Sequence, residues 1–236
     1  MNSSDIGAPQ RQLLFRILSF LTRFQLRSLL KNMSHSQAYA VGYAGLAGGI
    51  SLGTITLGAF ITDLPLLFPP LAPSAFILFY TPMSEQASPR NVLLSHGLGV
   101  ASGLVALHLI SAILPQAELL DPAVMSWGRV ATIALAMGLI TALMSGLRCA
   151  HPPAAASSLL AAMGYLEHPL QSVGLLGATV LLVLEAIFLN RVMGGLPYPW
   201  WRADPRIIQS FGGLSGLPGP HDNHWSTMAE RILSRR

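Results

Sequence analysis

The stretch from Arg148 to Ser158 carries the residues best suited to chemistry, and it has the sequence RCAHPPAAASS. A cation and an imidazole, Arg148 and His151, stand directly before two prolines and a run of small residues. A helix that opens with proline presents free N–H groups at its positive end, where anions bind. The stretch therefore predicts an anion site at a helix that begins at Pro152 and Pro153. The alternative is that these prolines merely break a membrane helix and Arg148 marks its cytoplasmic edge.

A second copy of this pattern occurs earlier in the chain. Residues 69–77, PPLAPSAFI, align without gaps on residues 152–160, PPAAASSLL, and the two copies share both prolines, one alanine and one serine. Each copy opens the middle helix of a three-helix half. Because three is odd, the halves would enter the membrane from opposite sides, which is the inverted-repeat plan of many transporters. Chance similarity in a biased composition is the alternative.

The composition indicates a helical membrane protein with several spans. Of 236 residues, 52% are hydrophobic and 10% are charged, against about 25% charged residues in ordinary soluble domains. Long stretches with few or no Asp, Glu, Lys or Arg residues predict helices over residues 38–60, 65–80, 91–114, 128–147, 152–166 and 170–190. A full span needs about 20 apolar residues, so the shortest of these are expected to be short or broken helices.

The charges divide the chain into three regions and assign their sides. We expect residues 1–34 to form a basic amphipathic helix on the membrane surface, residues 35–202 to form the transmembrane domain, and residues 203–236 to form a cytoplasmic tail. The excess of arginine at the N-terminus, Arg90, Arg148 and Arg191 predicts that both termini are cytoplasmic. The acidic residues Asp63, Glu118, Asp121 and Glu167 then lie outside.

Arg129 departs from this pattern, and we expect it to snorkel to the interface rather than to pair with Asp121 or to face a permeation route.

Few ionisable side chains lie inside the predicted spans, and each is a candidate for function. His96 and His108 are separated by about 18 Å along one helix, so they cannot share a metal ion. His96 lies on the inner side, where it could face the same vestibule as Arg148 and His151; a structural, hydrogen-bonded histidine is the alternative. For Glu185 we expect a pair with a nearby cation such as Arg191 rather than a proton route.

Three small-residue motifs predict close helix packing or an oligomer contact. They are Gly45-x-x-x-Gly49-x-x-x-Gly53, Gly99-x-x-x-Gly103 and Gly138-x-x-x-Ala142-x-x-x-Gly146. The sequence contains no arrangement of nucleophile, base and carboxylate, no phosphate-binding glycine loop and no spacing of Cys and His typical of a metal site. We therefore expect no enzyme activity, no cofactor, no metal and no nucleic-acid partner.

Several short motifs occur in a recognisable order. They are Ala72-Pro-Ser-Ala-Phe-Ile-Leu-Phe79, Ser88-Pro-Arg-Asn91 with His96-Gly97, Arg148 with His151-Pro-Pro-Ala154, and Asn190-Arg191 with Pro197-Tyr-Pro-Trp200. Together they resemble the HPP family of integral membrane proteins, named for its His-Pro-Pro motif. The resemblance implies a transporter, with nitrite as the first candidate substrate, because plant and cyanobacterial members are associated with nitrite transport. The chain differs from some bacterial relatives in its N-terminal extension and in lacking a CBS domain, so regulation by that domain is not expected.

The sequence thus predicts an all-α membrane protein of about six transmembrane or broken helices in two inverted three-helix repeats, set in a bilayer, most simply the bacterial inner membrane. A small inorganic anion such as nitrite would bind between the two Pro-Pro helices. The candidate binding residues are Pro69, Pro70, Ser74, Arg90, Asn91, His96, Arg148, His151, Pro152, Pro153 and Ser157. An aquaporin-like channel is the nearest variant, and a homo-oligomer is compatible with the glycine motifs. The alternatives are a membrane scaffold without transport activity and a haem protein ligated by histidine.

Overall fold

The computed structural model describes residues 36–210, and this part of the chain is helical without β-strands. The helices are α1 (Ser36–Thr62), α2 (Leu71–Tyr80), α3 (Pro89–Ile113), α4 (Trp127–Gly146), α5 (Ala154–Ala162), α6 (Pro169–Phe188) and α7 (Pro205–Ser210). A π-helical turn over Leu189–Met193 continues α6, and short 3-10 turns cover Glu85–Ala87 and Pro115–Ala117. The predicted all-α fold is confirmed. The expected surface helix over residues 1–34 and most of the tail lie outside the described residues.

Long and short helices alternate in a regular order. Four helices, α1, α3, α4 and α6 with its π-helical turn, are long and apolar enough to cross a membrane. The ten residues of α2 and the nine of α5 reach only about 15 Å at 1.5 Å per residue, about half of a hydrocarbon core. The predicted helices over 65–80 and 152–166 therefore begin too early. The two Pro-Pro pairs form the turn before each helix, and Pro70 and Pro153 are the N-cap residues.

The two short helices run in opposite directions from a shared starting region inside the bundle. Helix α2 ends next to Thr81, which lines a pocket with Arg148. Helix α5 ends at Ala162, whose carbonyl accepts a hydrogen bond from Arg129 at the start of α4. We call the end of the bundle that carries Arg90, Arg148 and Arg202, which line one depression, the arginine end. Helix α2 thus points toward the arginine end, and α5 points away from it.

The main helix contacts follow an internal two-fold pattern. Helix α1 packs on α2 and α6, while α4 packs on α5 and α3; α2 packs on α6, α5 packs on α3, and α3 packs on α6. Exchanging α1, α2 and α3 for α4, α5 and α6 maps this set of contacts onto itself. The pattern supports the internal repeat seen in the sequence. The inverted orientation of the halves in a bilayer stays a prediction.

One of the three glycine motifs packs two helices closely together. A Cβ atom on Gly99 would lie 2.5 Å from the Ala154 carbonyl oxygen, and one on Gly103 would lie 2.5 Å from the Ala161 Cβ. Helix α3 therefore contacts α5 through its backbone. The glycines of the other two motifs, on α1 and α4, have no neighbour within 4 Å of an added Cβ. Those two motifs do not pack within the described chain.

Arg129 is fully buried, so the expectation that it snorkels to the interface is wrong. Its guanidinium donates to the backbone carbonyls of Ala162, Leu119 and Asp121 at 2.7–2.9 Å. A longer bond of 3.3 Å joins its Nε to the Val124 carbonyl. These bonds pair the guanidinium with carbonyls at the end of α5 and in the loop before α4. Arg129 therefore fixes the loop before α4 to the end of α5.

Candidate functional site

Ser74 lies one turn inside α2 and joins three parts of the chain. Its buried Oγ lies 2.8 Å from the Pro70 carbonyl oxygen, 2.9 Å from His96 Nε2 and 3.0 Å from His151 Nε2. A hydroxyl has one hydrogen to donate and two lone pairs that accept. Three neighbours at these distances therefore match the full hydrogen-bonding capacity of the Ser74 hydroxyl.

Two histidines extend this contact into a continuous chain of hydrogen bonds. His96 on α3 places Nδ1 2.7 Å from Ser157 Oγ on α5. His151, just before α5, places Nδ1 2.9 Å from the Gln86 carbonyl oxygen. The two imidazole centres are 5.3 Å apart, and the side chains of both histidines and both serines are fully buried. We call the series Ser157, His96, Ser74, His151 and the Gln86 carbonyl the His-Ser chain.

The carbonyl of Gln86 sets the direction of every bond in the His-Ser chain when both imidazoles are neutral. A carbonyl only accepts, so His151 Nδ1 carries the hydrogen and its Nε2 accepts from Ser74. Ser74 Oγ then accepts from His96 Nε2, and His96 Nδ1 accepts from Ser157. All the hydrogens of the chain therefore point the same way, from Ser157 toward Gln86.

The loop before α5 is held by a helix-ending motif that puts Arg148 in an unusual conformation. The Cys149 N–H donates to the Met144 carbonyl and the Arg148 N–H to the Ser145 carbonyl, which is the pattern of a Schellman motif. Arg148 occupies the left-handed position of this motif at φ +47°, where glycine is usual. Ser95 on α3 donates to the Cys149 carbonyl. These bonds fix the loop that carries His151.

Arg90 and Asn91, which we expected to face the anion, bind backbone instead. Arg90 donates to the carbonyls of Leu147 and Arg148 at 3.0 and 2.8 Å, at the end of α4. Its Nη1 also donates to Asn91 Oδ1, and Asn91 Nδ2 donates to the Glu85 carbonyl at 3.1 Å. The two side chains therefore hold the 3-10 turn and the end of α4 in place beside His151.

An open pocket of about 630 Å³ lies at the arginine end, next to the His-Ser chain. Arg148, Gln86 and Asn91 are among its lining residues. Because the Gln86 carbonyl also binds His151, the 3-10 turn separates this pocket from the buried imidazole. The pocket is lined by one side chain of each charge, Arg148 and Glu85, and both are exposed.

The first N–H groups of the two short helices are not free, so that part of the predicted anion site is wrong. In α2, Leu71 and Ala72 donate to the Phe68 and Pro69 carbonyls at 3.1 and 3.3 Å. In α5, the N–H groups of residues 154–156 donate to the carbonyls of residues 151–153 at 3.0–3.1 Å. The tight turns that the two Pro-Pro pairs form satisfy these donors. Pro70 and Pro153 are buried in these turns, whereas Pro69 and Pro152 are exposed.

Sequence comparison assigns the chain to a family. The family model described as HPP, transmembrane region, matches residues 31–199. The chain belongs to the HPP transmembrane family. The matched region covers every residue of the His-Ser chain and also the two prolines that follow His151. No curated protein and no solved structure matches this chain.

The last motifs of this HPP-family chain close the arginine end around the site. Asn190 Nδ2 donates to the Leu78 carbonyl near the end of α2, and its Oδ1 accepts from Tyr43 at 2.9 Å. The guanidinium of Arg191 lies 4.1 Å from the centre of the Trp200 ring, a cation–π contact. Tyr198 is fully buried and donates to the Ala87 carbonyl, next to Gln86. Burial raises the pKa of Tyr198, which keeps its hydroxyl a neutral donor.

The expected pair between Glu185 and Arg191 does not form. Thr54 on α1 donates to Glu185 Oε1 at 2.5 Å, while Glu185 Oε2 is buried without a hydrogen-bond partner. Arg191 contacts Trp200 instead. Within residues 36–210, no group of three or more His, Cys, Asp and Glu side chains could hold a metal ion.

Sequence reasoning identified all four side chains of the His-Ser chain but missed its anchors. The repeat placed Ser74 and Ser157 at equivalent positions, and the structure puts one on each nitrogen of His96. Gln86 was missed because its contribution is a backbone carbonyl, which leaves no mark in the sequence. Ser95 was missed because serine is common in membrane helices; only its place directly before His96 could have drawn attention.

Proposed function

We propose that this HPP-family protein is a membrane transporter or channel for a small monovalent anion, with nitrite as the first candidate. The observation that carries the proposal is the meeting of two oppositely directed half-helices at the His-Ser chain. Burying two imidazoles and two hydroxyls inside a membrane bundle is costly, and such groups commonly mark a substrate or ion path. Apolar side chains would pack the same space without that cost.

The charge distribution favours an anion. Each helix carries roughly half a positive charge at its N-terminus, and the N-termini of α2 and α5 both lie at the His-Ser chain. Broken helices that direct their N-termini at an anionic group are a recurring feature of transporters. Because the first N–H groups are already bonded, the dipoles act through their field, and a bound anion would take over hydrogen bonds that the hydroxyls and imidazole N–H groups now make within the His-Ser chain. Arg148 attracts the anion into the open pocket at the arginine end.

Substrate size follows from the same groups. Ser74 and Ser157 are linked through one imidazole, so a ligand that contacts both must be small. Nitrite offers two oxygen acceptors and one negative charge, which suits two hydroxyl donors. The family resemblance favours nitrite for a separate reason, since plant and cyanobacterial members are associated with its transport.

We also propose that the arginine end faces the cytoplasm, because cytoplasmic segments of membrane proteins carry an excess of Lys and Arg. Both termini would then be cytoplasmic and the loop around Leu120 external. Cysteine introduced at Leu120 should react with an impermeant reagent added outside bacterial cells. Labelling only after the cytoplasmic side is exposed would contradict this orientation. The buried Cys149 allows the native chain to serve as the unlabelled control.

The transport proposal is tested with the full chain in liposomes. Protein-dependent nitrite uptake should exceed chloride uptake from an equal concentration. Protein-free vesicles give the background, since nitrous acid itself crosses lipid. His108→Gln, which changes an exposed histidine on α3, should leave the rate unchanged. Uptake no faster than in protein-free vesicles, for every anion supplied, would favour the scaffold instead.

A further inference from the structure

The Ser74 hydroxyl has two acceptors for its single hydrogen, and this gives the His-Ser chain two complete arrangements. With neutral His151, Ser74 donates to His151 Nε2, 3.0 Å away. When His151 carries a second proton, its Nε2 becomes a donor and Ser74 must accept from it. The Ser74 hydrogen can then turn to the Pro70 carbonyl, 2.8 Å away.

Every hydrogen bond is kept in the protonated arrangement. Ser74 Oγ has two lone pairs, which accept from His151 Nε2 and from His96 Nε2 together. His151 Nδ1 continues to donate to the Gln86 carbonyl, and Ser157 continues to donate to His96 Nδ1. A proton can therefore be added without leaving a buried donor or acceptor unpaired, which removes one of the costs of charging a buried group.

We propose that the His-Ser chain carries one proton with each anion, so that the protein is an electroneutral proton–anion symporter. This inference rests on the proposed function. One proton, delivered by a hydronium ion in the pocket, ends on His151 Nε2 and turns the ring into an imidazolium, and the hydronium ion is left as water. The Ser74 hydrogen stays on Ser74 and turns to Pro70, and no electrons are transferred. The positive charge of the imidazolium balances the single negative charge of nitrite, and both leave together on the other side.

Within residues 36–210, the other charged side chains inside the bundle are bound away from the His-Ser chain: Glu185 accepts from Thr54, and Arg129 donates to backbone carbonyls. On α2 the only titratable side chain is Tyr80, and α5 has none. On α3 the facing titratable group is His96, which shares Ser74 with His151. Cys149 is buried in the same loop, and the pocket beside Gln86 holds Glu85 and Arg148. Glu85 and Arg148 lie on the solvent side of Gln86, so the buried imidazoles are the groups that can carry the proton.

The test measures nitrite uptake, internal pH and voltage dependence in liposomes that contain the full chain and a trapped pH dye. We expect one proton to enter per nitrite, after the protein-free background is subtracted. Uptake should also be unaffected by a membrane potential set with potassium and valinomycin. Protein-dependent nitrite uptake without protons, and accelerated by an inside-positive potential, would overturn the symport inference and leave the proposed function intact. The absence of protein-dependent uptake would overturn both.

Ser74→Ala removes the group that both arrangements share. We expect the proton-coupled nitrite flux per folded molecule to fall at least about tenfold, the equivalent of one hydrogen bond to a charged group. Ser102→Ala is the matched control, because Ser102 is a buried hydroxyl on α3 without a hydrogen-bond partner. Equal coupled flux in wild type and Ser74→Ala would overturn the proposal. If Ser74→Ala does not fold, the wild-type proton count and voltage dependence decide the question alone.

Discussion

Ser74 and His151 lie 77 positions apart in the sequence, yet Ser74 Oγ is 3.0 Å from His151 Nε2. This bond joins the first turn of α2 to the turn that precedes α5. It connects the two copies of the Pro-Pro pattern directly, and His96 completes the connection by reaching both Ser74 and Ser157. The two half-helices therefore share one polar centre rather than having one each.

Ser74→Ala and Ser157→Ala should each weaken nitrite binding by about 0.5–1.5 kcal/mol, the usual net value of one hydrogen bond. The two effects should not add, because groups that share a ligand and one hydrogen-bonded chain couple energetically. A double-mutant cycle on the nitrite binding constant measures the coupling, with chloride as the control anion. Ser158→Ala is the control variant, since the adjacent Ser158 makes only a 3.4 Å bond to the Ala136 carbonyl. Strictly additive effects, or none, would mean that the two serines serve packing alone.

Arg148→Gly separates the charge of this residue from its backbone conformation. Glycine adopts the left-handed conformation of position 148 without the strain of about 1–2 kcal/mol that other residues carry. Thermal stability in detergent should therefore stay equal or rise. The half-saturating nitrite concentration should rise about fivefold, because a solvated charge at contact distance contributes roughly 1 kcal/mol. Arg148→Lys keeps the charge and should keep the wild-type value. If the glycine variant has unchanged nitrite kinetics, the pocket charge takes no part in transport.

Gly103→Ala should destabilise the bundle by about 1–3 kcal/mol through overpacking. Its Cβ would overlap the Ser158 carbonyl and lie 2.5 Å from the Ala161 Cβ. Gly138→Ala is the matched control, because a Cβ there meets nothing within 4 Å. Thermal unfolding of both variants in one detergent measures the difference. Equal midpoints for the two variants would show that α3 and α5 do not pack through Gly103.

The helices and the central residues of the site could be predicted from the sequence because they depend on local patterns. Stretches poor in charge located the long helices, and the Pro-Pro pairs lie within two residues of where α2 and α5 begin. The shared serine of the repeat gave the equivalence of Ser74 and Ser157. These signals lie in the order of residues along the chain.

The hydrogen-bond partners of Arg90 and Arg129 could not be predicted, because they depend on which backbone carbonyls the fold brings close to each guanidinium. Arg129 was expected at the interface on hydropathy alone, yet carbonyls from the end of α5 and the nearby loop make burial favourable. Arg90 was expected to face an anion and instead binds the end of α4. Likewise, the first N–H groups of α5 are satisfied by the turn at its prolines, which a helix considered in isolation does not show.

The central claim is that His151 acts in anion transport rather than in packing alone. The most direct measurement compares wild type, His151→Ala and His108→Ala for nitrite uptake per folded molecule, with folding measured separately by thermal unfolding in detergent. His151→Ala removes the link between Ser74 and Gln86. We expect a large fall in nitrite uptake and in the pH dependence of that uptake, and a much smaller fall in thermal stability. His108→Ala should match wild type in both. The account would be contradicted if His151→Ala lost stability but kept wild-type uptake per folded molecule.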